Sequence, residues 1–187
     1  MSEPRDRIFP RVPLTRDDWH AFCHHWGLVQ RAVFEPTDEN PSYEESWSNE
    51  EKTFGMSFCD DAIACLAYVT MRGVDDEGYV DDFVFSFGSV EVNDMLQMAM
   101  DEHPPDLHIA NAFLMSIAFL EYDERAAAAL RRYALEGEHP TLRRAALEAI
   151  ARGAWSPCRA IVSSAAEHDP DEAVRAQARS VLERWPA

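Results

Sequence analysis

Residues 142–152 (LRRAALEAIAR) and 174–184 (VRAQARSVLER) decide the fold of the second half of this chain. A shift of 32 residues aligns them and pairs residues of the same kind: Leu142 with Val174, Arg143 with Arg175, Ala146 with Ala178, Ile150 with Leu182 and Arg152 with Arg184. Small and aliphatic residues at this spacing share one face of a helix. The two copies therefore predict a repeated helical unit.

A short turn motif precedes each helical segment. Glu-His-Pro occurs at 102–104 and 138–140, and Glu-His-Asp-Pro occurs at 167–170. Proline suits the start of a helix, where its missing N–H needs no partner. Neighbouring helices pack about 10 Å apart, whereas metal ligands lie about 2 Å from one ion. The repeated histidines therefore predict turn or cap residues and not a metal site.

The stretch from Asp169 to Arg175 (DPDEAVR) resembles the HEAT-repeat family, in which Pro or Asp-Pro opens a helix and an aliphatic-Arg step follows. The resemblance covers about 80 of the 187 residues. It implies a stack of α-α pairs over 106–187, about two and a half repeats long, with Arg143 and Arg175 in structural ion pairs between repeats. HEAT repeats serve scaffolds, inhibitors and some enzymes, so the resemblance implies an architecture and not one function.

Helical spacing predicts five helices in this half, at 106–120, 123–136, 140–152, 156–166 and 170–185. Gly137 and Gly153 stand where helices are expected to end. The first helix is apolar almost all round, so we expect it to be buried on both sides. Because at least three repeats are usually needed for a continuous core, residues 1–105 are expected to cap the stack.

Residues 1–105 predict a domain of mixed type, so the expected fold class is α+β. Thr15 and Asp18 begin a capping-box helix that runs to about Trp26. Alternating apolar residues predict the strands of a small antiparallel sheet at 28–34, 53–58, 63–71 and 80–87. Residues 89–102 predict a helix, and residues 35–51 predict a long acidic loop.

Charge is the strongest compositional signal. The chain has 34 acidic and 17 basic residues and a formal charge of −17, of which residues 1–105 carry −15. Nucleic-acid binding depends on Lys and Arg that neutralise phosphates, so the charge disfavours it. An acidic surface attracts basic proteins instead. The basic residues are 16 Arg and the single Lys52, and with the many alanines they suggest a GC-rich bacterial genome.

The expected cellular location is the cytoplasm, because membrane-span and signal-peptide patterns are absent from the sequence. No apolar run is long enough for a membrane span, and the first residues do not form a signal peptide. The cysteines at 23, 59, 65 and 158 show no paired spacing, which predicts free thiols in the cytoplasm. The alternative is that Cys59 and Cys65 meet across a hairpin. The sequence does not predict the oligomeric state.

The candidate metal ligands are His20, Cys23 and His24, which lie within one turn of the first predicted helix. The alternative is an ordinary amphipathic helix that buries Cys23 with its aromatic residues. No zinc-protease, nucleotide-binding or nucleophile motif occurs in the chain. We therefore predict no catalytic residue and no cofactor.

Candidate partner-binding residues are aromatic and acidic side chains expected to be exposed: Tyr43, Glu44, Glu45, Trp47, Asp75, Asp76, Glu77, Asp81 and Asp82. Aromatic residues ringed by charge are typical of interface hot spots. Burial of Tyr43 and Trp47 beneath the loop is the alternative, and residues 75–77 also fit a solvated turn.

The sequence thus predicts a non-enzymatic module that binds another protein and neither nucleic acid nor membrane. The sharper expectation is a bacterial immunity or inhibitor protein that masks a basic partner, such as a nuclease-type toxin. A scaffold or regulatory subunit without a preference for basic partners is the main alternative. A metal-dependent enzyme built on residues 20–24 is a third.

Overall fold

The structure is a computed structural model that describes residues 7–38, 41–62, 66–73, 75, 78–119 and 121–185. Its contacts divide the chain into two compact units, residues 1–91 and 92–187. The first contains an antiparallel sheet and helices, and the second is helical. The fold class is therefore α+β, as predicted.

The first unit contains strands β1 to β5 and helices α1 and α2. Their bounds in chain order are β1 Arg7–Ile8, α1 Arg16–His25, β2 Val29–Phe34, β3 Tyr43–Ser48, β4 Phe54–Asp61, β5 Leu66–Gly73 and α2 Tyr79–Phe87. The sheet is antiparallel in the order β1-β5-β4-β3-β2. Helix α1 begins with the predicted capping box, because Thr15 and Asp18 bond reciprocally.

One face of the sheet holds the core of this unit. Strand pairing places Trp47 opposite Met56 and Glu45 opposite Phe58, which in turn lies opposite Val69. Apart from Glu45, these side chains form one hydrophobic cluster with Trp19 and other residues of α1 and α2. Burial of large apolar side chains, worth about 1.5–3 kcal/mol each, holds the helices on this face.

The strand predicted at 80–87 is wrong, because Tyr79–Phe87 is helix α2. The two carboxylate oxygens of Asp75 accept hydrogen bonds from the backbone N–H groups of Tyr79 and Val80, at 3.0 and 2.8 Å. Tyr79 and Phe83, four residues apart, are both buried. The alternation of apolar residues predicted a strand, but the same residues also fit a helical spacing. The Asp75 cap stabilises the helix.

The loop predicted at 35–51 is also wrong, since Tyr43–Ser48 is strand β3 between β2 and β4. Tyr43, Glu45 and Trp47 lie on one face of this strand and are 5%, 0% and 4% exposed. The acidic residues of this segment favoured a loop prediction, although its buried side chains alternate as they do in a strand. Strand β4 extends to Asp61, three residues beyond the predicted strand end at residue 58, and Cys65 lies outside the described residues.

The second unit contains helices α3 to α8, with a short 3-10 helix at Ser156–Cys158. Their bounds are α3 Val92–Met100, α4 Pro105–Ala118, α5 Glu124–Glu136, α6 Pro140–Gly153, α7 Arg159–His168 and α8 Glu172–Glu183. The five helices predicted after residue 105 and the one predicted at 89–102 are confirmed to within a few residues. Gly137 does cap α5, whereas Ala154, one residue after Gly153, takes the left-handed cap position of α6.

These helices pack in two rows. Helices α3, α5 and α7 contact one another in sequence order, as do α4, α6 and α8. Consecutive helices form the pairs α3 with α4, α5 with α6 and α7 with α8. Helix α3 thus belongs to the helical unit and completes a third pair, whereas the sequence placed residues 92–105 in the first domain.

The two repeat arginines make the same backbone contact. Arg143 donates to the carbonyl of Gly137 and Arg175 to that of Asp169, in each case six residues earlier. Arg143 also forms a bidentate pair with Asp169, at 2.7 and 3.0 Å, and both side chains are buried. The ion pair expected for Arg143 is therefore present and links α6 to the turn before α8.

Helix length and hydropathy also bear on membranes. Within the part of the chain that the structure describes, no helix has both the length and the apolar character needed to cross a membrane.

Candidate functional site

Helix α1 and strand β3 place three pairs of side chains opposite each other. On α1, Arg16, His20 and His24 recur every four residues, a rise of about 6.0 Å. On β3, the partners recur every two residues, a rise of about 6.6 Å. The matching rises set Arg16 over Tyr43, His20 against Glu45 and His24 against Trp47. We call these six residues the α1–β3 cluster.

The aromatic contacts of this cluster are close. The Arg16 guanidinium carbon lies 3.5 Å from the centre of the Tyr43 ring, a cation–π geometry. The His24 ring meets Trp47 edge-on at 5.2 Å between centroids. Tyr43 and Trp47 are thus held from outside by α1 and are not the exposed aromatic residues predicted for partner binding.

Glu45 is the buried acid at the centre of the cluster. Its Oε2 accepts hydrogen bonds from Tyr43 Oη at 2.8 Å and from Gln30 Nε2 at 3.2 Å. His20 Nε2 lies 3.0 Å from Oε2 and 2.8 Å from Oε1. Burial, and then the bond to Glu45, raise the pKa of Tyr43 to about 12, so this phenol donates at neutral pH. Tyr43, Gln30 and, when its Nε2 carries the proton, His20 donate to this carboxyl group and offset part of the cost of burying it.

The candidate metal ligands are separated by this arrangement. His20 pairs with Glu45, His24 packs on Trp47, and Cys23 is buried in the hydrophobic core. Burial, followed by the nearby Glu45, raises the pKa of the Cys23 thiol far above its ordinary range, which disfavours the thiolate that a metal needs. Among the residues described, no three His, Cys, Asp or Glu side chains group in a way that could hold a metal ion.

Replacement of His20 by alanine tests the cluster. The change removes one of the three donors to a carboxyl group that is itself buried, so we expect the free energy of unfolding to fall by about 1–3 kcal/mol. Urea denaturation of the full chain measures this loss. The control is His25→Ala, which removes an exposed imidazole of the same helix and should cost less than about 0.5 kcal/mol. Equal losses in the two variants would contradict the role given to His20.

The remaining partner-binding candidates have different environments. Glu44 and Asp75 are half-buried, and Asp75 is occupied in capping α2. Asp81 is exposed and Asp82 half-exposed in the first turn of α2. Asp76 and Glu77 lie outside the described residues. Glu44, Asp81 and Asp82 are therefore the predicted residues that remain available to a partner, and of these Asp81 is the most exposed.

A groove of about 400 Å³ lies between α1 and α2, and we call it the α1–α2 groove. Asp18 and Asp82 contribute carboxylates, one from each helix, and Phe22, Trp26 and Phe87 contribute aromatic rings. The hydrogen bonds of Thr15 hold the pKa of Asp18 below its ordinary value, so this group is ionised at neutral pH. The groove thus combines negative charge with apolar walls.

Phe85 follows on the exposed side of α2 and is 90% exposed. Together with Asp81, one helical turn earlier, it forms an aromatic and acidic surface beside Asp82 and Ser86 of the groove. Reading residues 80–87 as a strand concealed this surface. A strand would place Phe83, Phe85 and Phe87 on one face and predict them all buried, whereas the helix turns Phe85 away from the buried Phe83.

The repeated Glu-His-Pro turns of the second unit border one cavity of about 490 Å³. His103 and His139 both line it, together with His108, whose ring packs at a tilt against Tyr133, 5.1 Å between centroids. His139 occupies the cap position of α6 without a capping bond from its side chain. Burial lowers the pKa of His108. His103 and His139 thus line one cavity, and neither belongs to a group of described residues that could hold a metal ion.

No family model, curated protein or solved structure matches this chain.

Proposed function

We propose that this chain is a non-enzymatic protein-binding module that holds a basic protein partner through the α1–α2 groove. The observation that carries the proposal is the pair of carboxylates, Asp18 and Asp82, set among aromatic rings in a groove large enough for an arginine or lysine side chain. Such a cation gains from the negative charge and from the faces of Trp26 and Phe87.

The exposed Phe85 supports the same surface. A fully solvated phenylalanine is unfavourable in water, and burying it in an interface gains roughly 1.5–3 kcal/mol. Aromatic anchors near the centre of an interface, surrounded by polar groups, are typical hot spots. We infer that Phe85 is such an anchor and that Asp81 and Asp82 select a positively charged surface around it.

The sharper form of the proposal is a bacterial immunity or inhibitor protein, located in the cytoplasm, that masks a basic nuclease-type toxin. The charge of −17 favours rapid association with such a partner. A HEAT-like stack in the second unit, which the shared contacts of Arg143 and Arg175 support, would supply a rigid platform. A basic toxin encoded beside this chain would favour this form. A metabolic operon would favour a scaffold or regulatory subunit instead.

A titration with a defined probe tests the basic-partner preference. The probe is a synthetic peptide that alternates arginine with leucine, and its counterpart carries glutamate at each arginine. Calorimetry of the full chain should detect the arginine peptide alone, with a dissociation constant that rises at least about tenfold between ~25 and ~300 mM NaCl. Salt-insensitive binding, or equal binding of both peptides, would reject a basic-partner preference and leave the scaffold alternative.

A further inference from the structure

A pocket of about 450 Å³ in the first unit has the opposite charge to the rest of the chain. Arg31, Lys52 and Arg72 line it, and no carboxylate does so among the described residues. Residues 1–91 contain 19 acidic but only seven basic residues, and three of those seven meet here. Lys52 is also the single lysine of the chain. We call this site the basic pocket.

The three cations have no anionic partner among the described residues. Arg31 donates to Ser48 Oγ at 2.8 Å and to the carbonyls of Asn49 and Glu50, which are neutral acceptors. The side chains of Lys52 and Arg72 are exposed, and neither makes a hydrogen bond or an ion pair with the side chains or backbone of the described residues. Three like charges gathered without a counter-charge repel one another. A bound anion would remove that repulsion.

The backbone at Lys52 and Gly55 helps to position the cations of the basic pocket. Lys52 adopts φ 61°, a left-handed conformation that Gly or Asn adopts at lower cost, in the turn between β3 and β4. Gly55 permits the approach of Arg72, because a Cβ there would lie 3.1 Å from Arg72 Nε and from the Trp47 carbonyl oxygen. The turn thus holds Lys52 in a left-handed conformation, and Gly55 leaves room for the Arg72 side chain, so the local backbone positions two of the three cations.

We propose that the basic pocket binds the phosphate group of a small phosphorylated molecule. A phosphate monoester is a dianion at neutral pH with three terminal acceptor oxygens, and Arg, Lys and hydroxyl groups are its usual donors. Ser48 and Thr53 place hydroxyl groups in the same lining. Nucleic acid fits less well, because its binding proteins use about 6–10 phosphate contacts and the net charge here opposes it. None of these residues lines the α1–α2 groove, so the site is independent of the proposed partner surface.

The test is a titration of the full isotope-labelled chain, followed by NMR, with inorganic phosphate and with glycerol phosphate. Sodium chloride at equal ionic strength is the reference. We expect saturable shifts of backbone amides at residues 48–55 and 72–73 with both phosphates and none with chloride. Lys52→Asn removes a charge yet suits the left-handed turn, and Arg72→Ala removes a side chain without a described hydrogen bond. Each should weaken binding about five- to tenfold.

The control variant is Arg159→Ala, which removes an exposed cation from α7 and should leave phosphate binding unchanged. An equal loss in this variant would show a general effect of net charge and overturn the site. Shifts confined to other residues, or no saturable shift beyond that of chloride, would also overturn it. Acetate that binds as tightly as phosphate would overturn the assignment to a phosphate dianion.

Discussion

Replacement of Arg143 by alanine is expected to lower the free energy of unfolding by about 3–5 kcal/mol, the largest stability effect we predict. The change leaves the Asp169 carboxylate, only 3% exposed, without its bidentate partner. It also removes a donor from the Gly137 carbonyl at the end of α5. The Arg143 side chain therefore joins the ends of three helices, and its loss should be measured by urea denaturation of the full chain.

The matched control is Arg144→Ala. Arg144 is the neighbouring residue of the same helix, but it is exposed and bonds to the neutral Gln177. Its loss should cost less than about 1 kcal/mol. If the two variants were equally stable, the buried pair would not be a main support of the helical unit.

The pH dependence of the free energy of unfolding is a second test of the Arg143–Asp169 pair. Burial raises the pKa of Asp169, but the hydrogen bonds of Arg143 and of the Asp171 amide outweigh it, so the pKa lies below the ordinary value of 3.8. A carboxyl group with a lowered pKa stabilises the fold above its unfolded pKa, and this contribution is lost as the pH falls through the folded pKa. The stability difference between wild type and Arg143→Ala should therefore be full near pH 7 and shrink below pH 3.8.

The second half of the chain could be predicted from sequence because its signals are local. Each helix has its own apolar spacing, and the 32-residue shift repeats it. The place of α3 could not be predicted in this way, since its pairing with α4 depends on tertiary contacts. One such contact is the hydrogen bond from Asn111 to the Met95 carbonyl, at 2.9 Å.

The first half of the chain was harder to predict because some of its polar residues are buried and stabilise the fold. The sequence places Glu45 in an exposed acidic loop, yet it is buried with hydrogen-bond partners that lie 2, 15 and 25 residues away in the chain. The one signal that could have found it is the spacing of Arg16, His20 and His24 against Tyr43, Glu45 and Trp47. The sequence shows one sign of the basic pocket, a single lysine in a turn. It does not show that Arg31 and Arg72 lie near this lysine, because the pairing of the strands brings them together.

Reversal of two charges on α2 should have the largest effect on partner binding. In the double variant Asp81→Lys, Asp82→Lys, the groove presents cations to a cationic partner, so attraction becomes repulsion. We expect binding of the arginine peptide to weaken about 100-fold at low salt, which corresponds to about 2.7 kcal/mol. The first turn of α2 also loses a favourable interaction with its helix dipole, of about 0.3–1 kcal/mol per acid, so circular dichroism must show that the fold remains.

The matched control reverses two other exposed acids, Glu50→Lys and Glu51→Lys, in the turn between β3 and β4. The net charge changes by the same amount, so a partner that responds only to the overall field would lose affinity equally in both variants. A partner seated in the α1–α2 groove would lose far less affinity in the control.

In the wild-type background, Phe85→Ala should weaken binding of that partner by a factor of about ten or more. The loss should depend little on salt, because the change removes buried apolar area and no charge. Equal losses in the two charge variants would reject the groove as the binding site while leaving a general attraction for basic proteins.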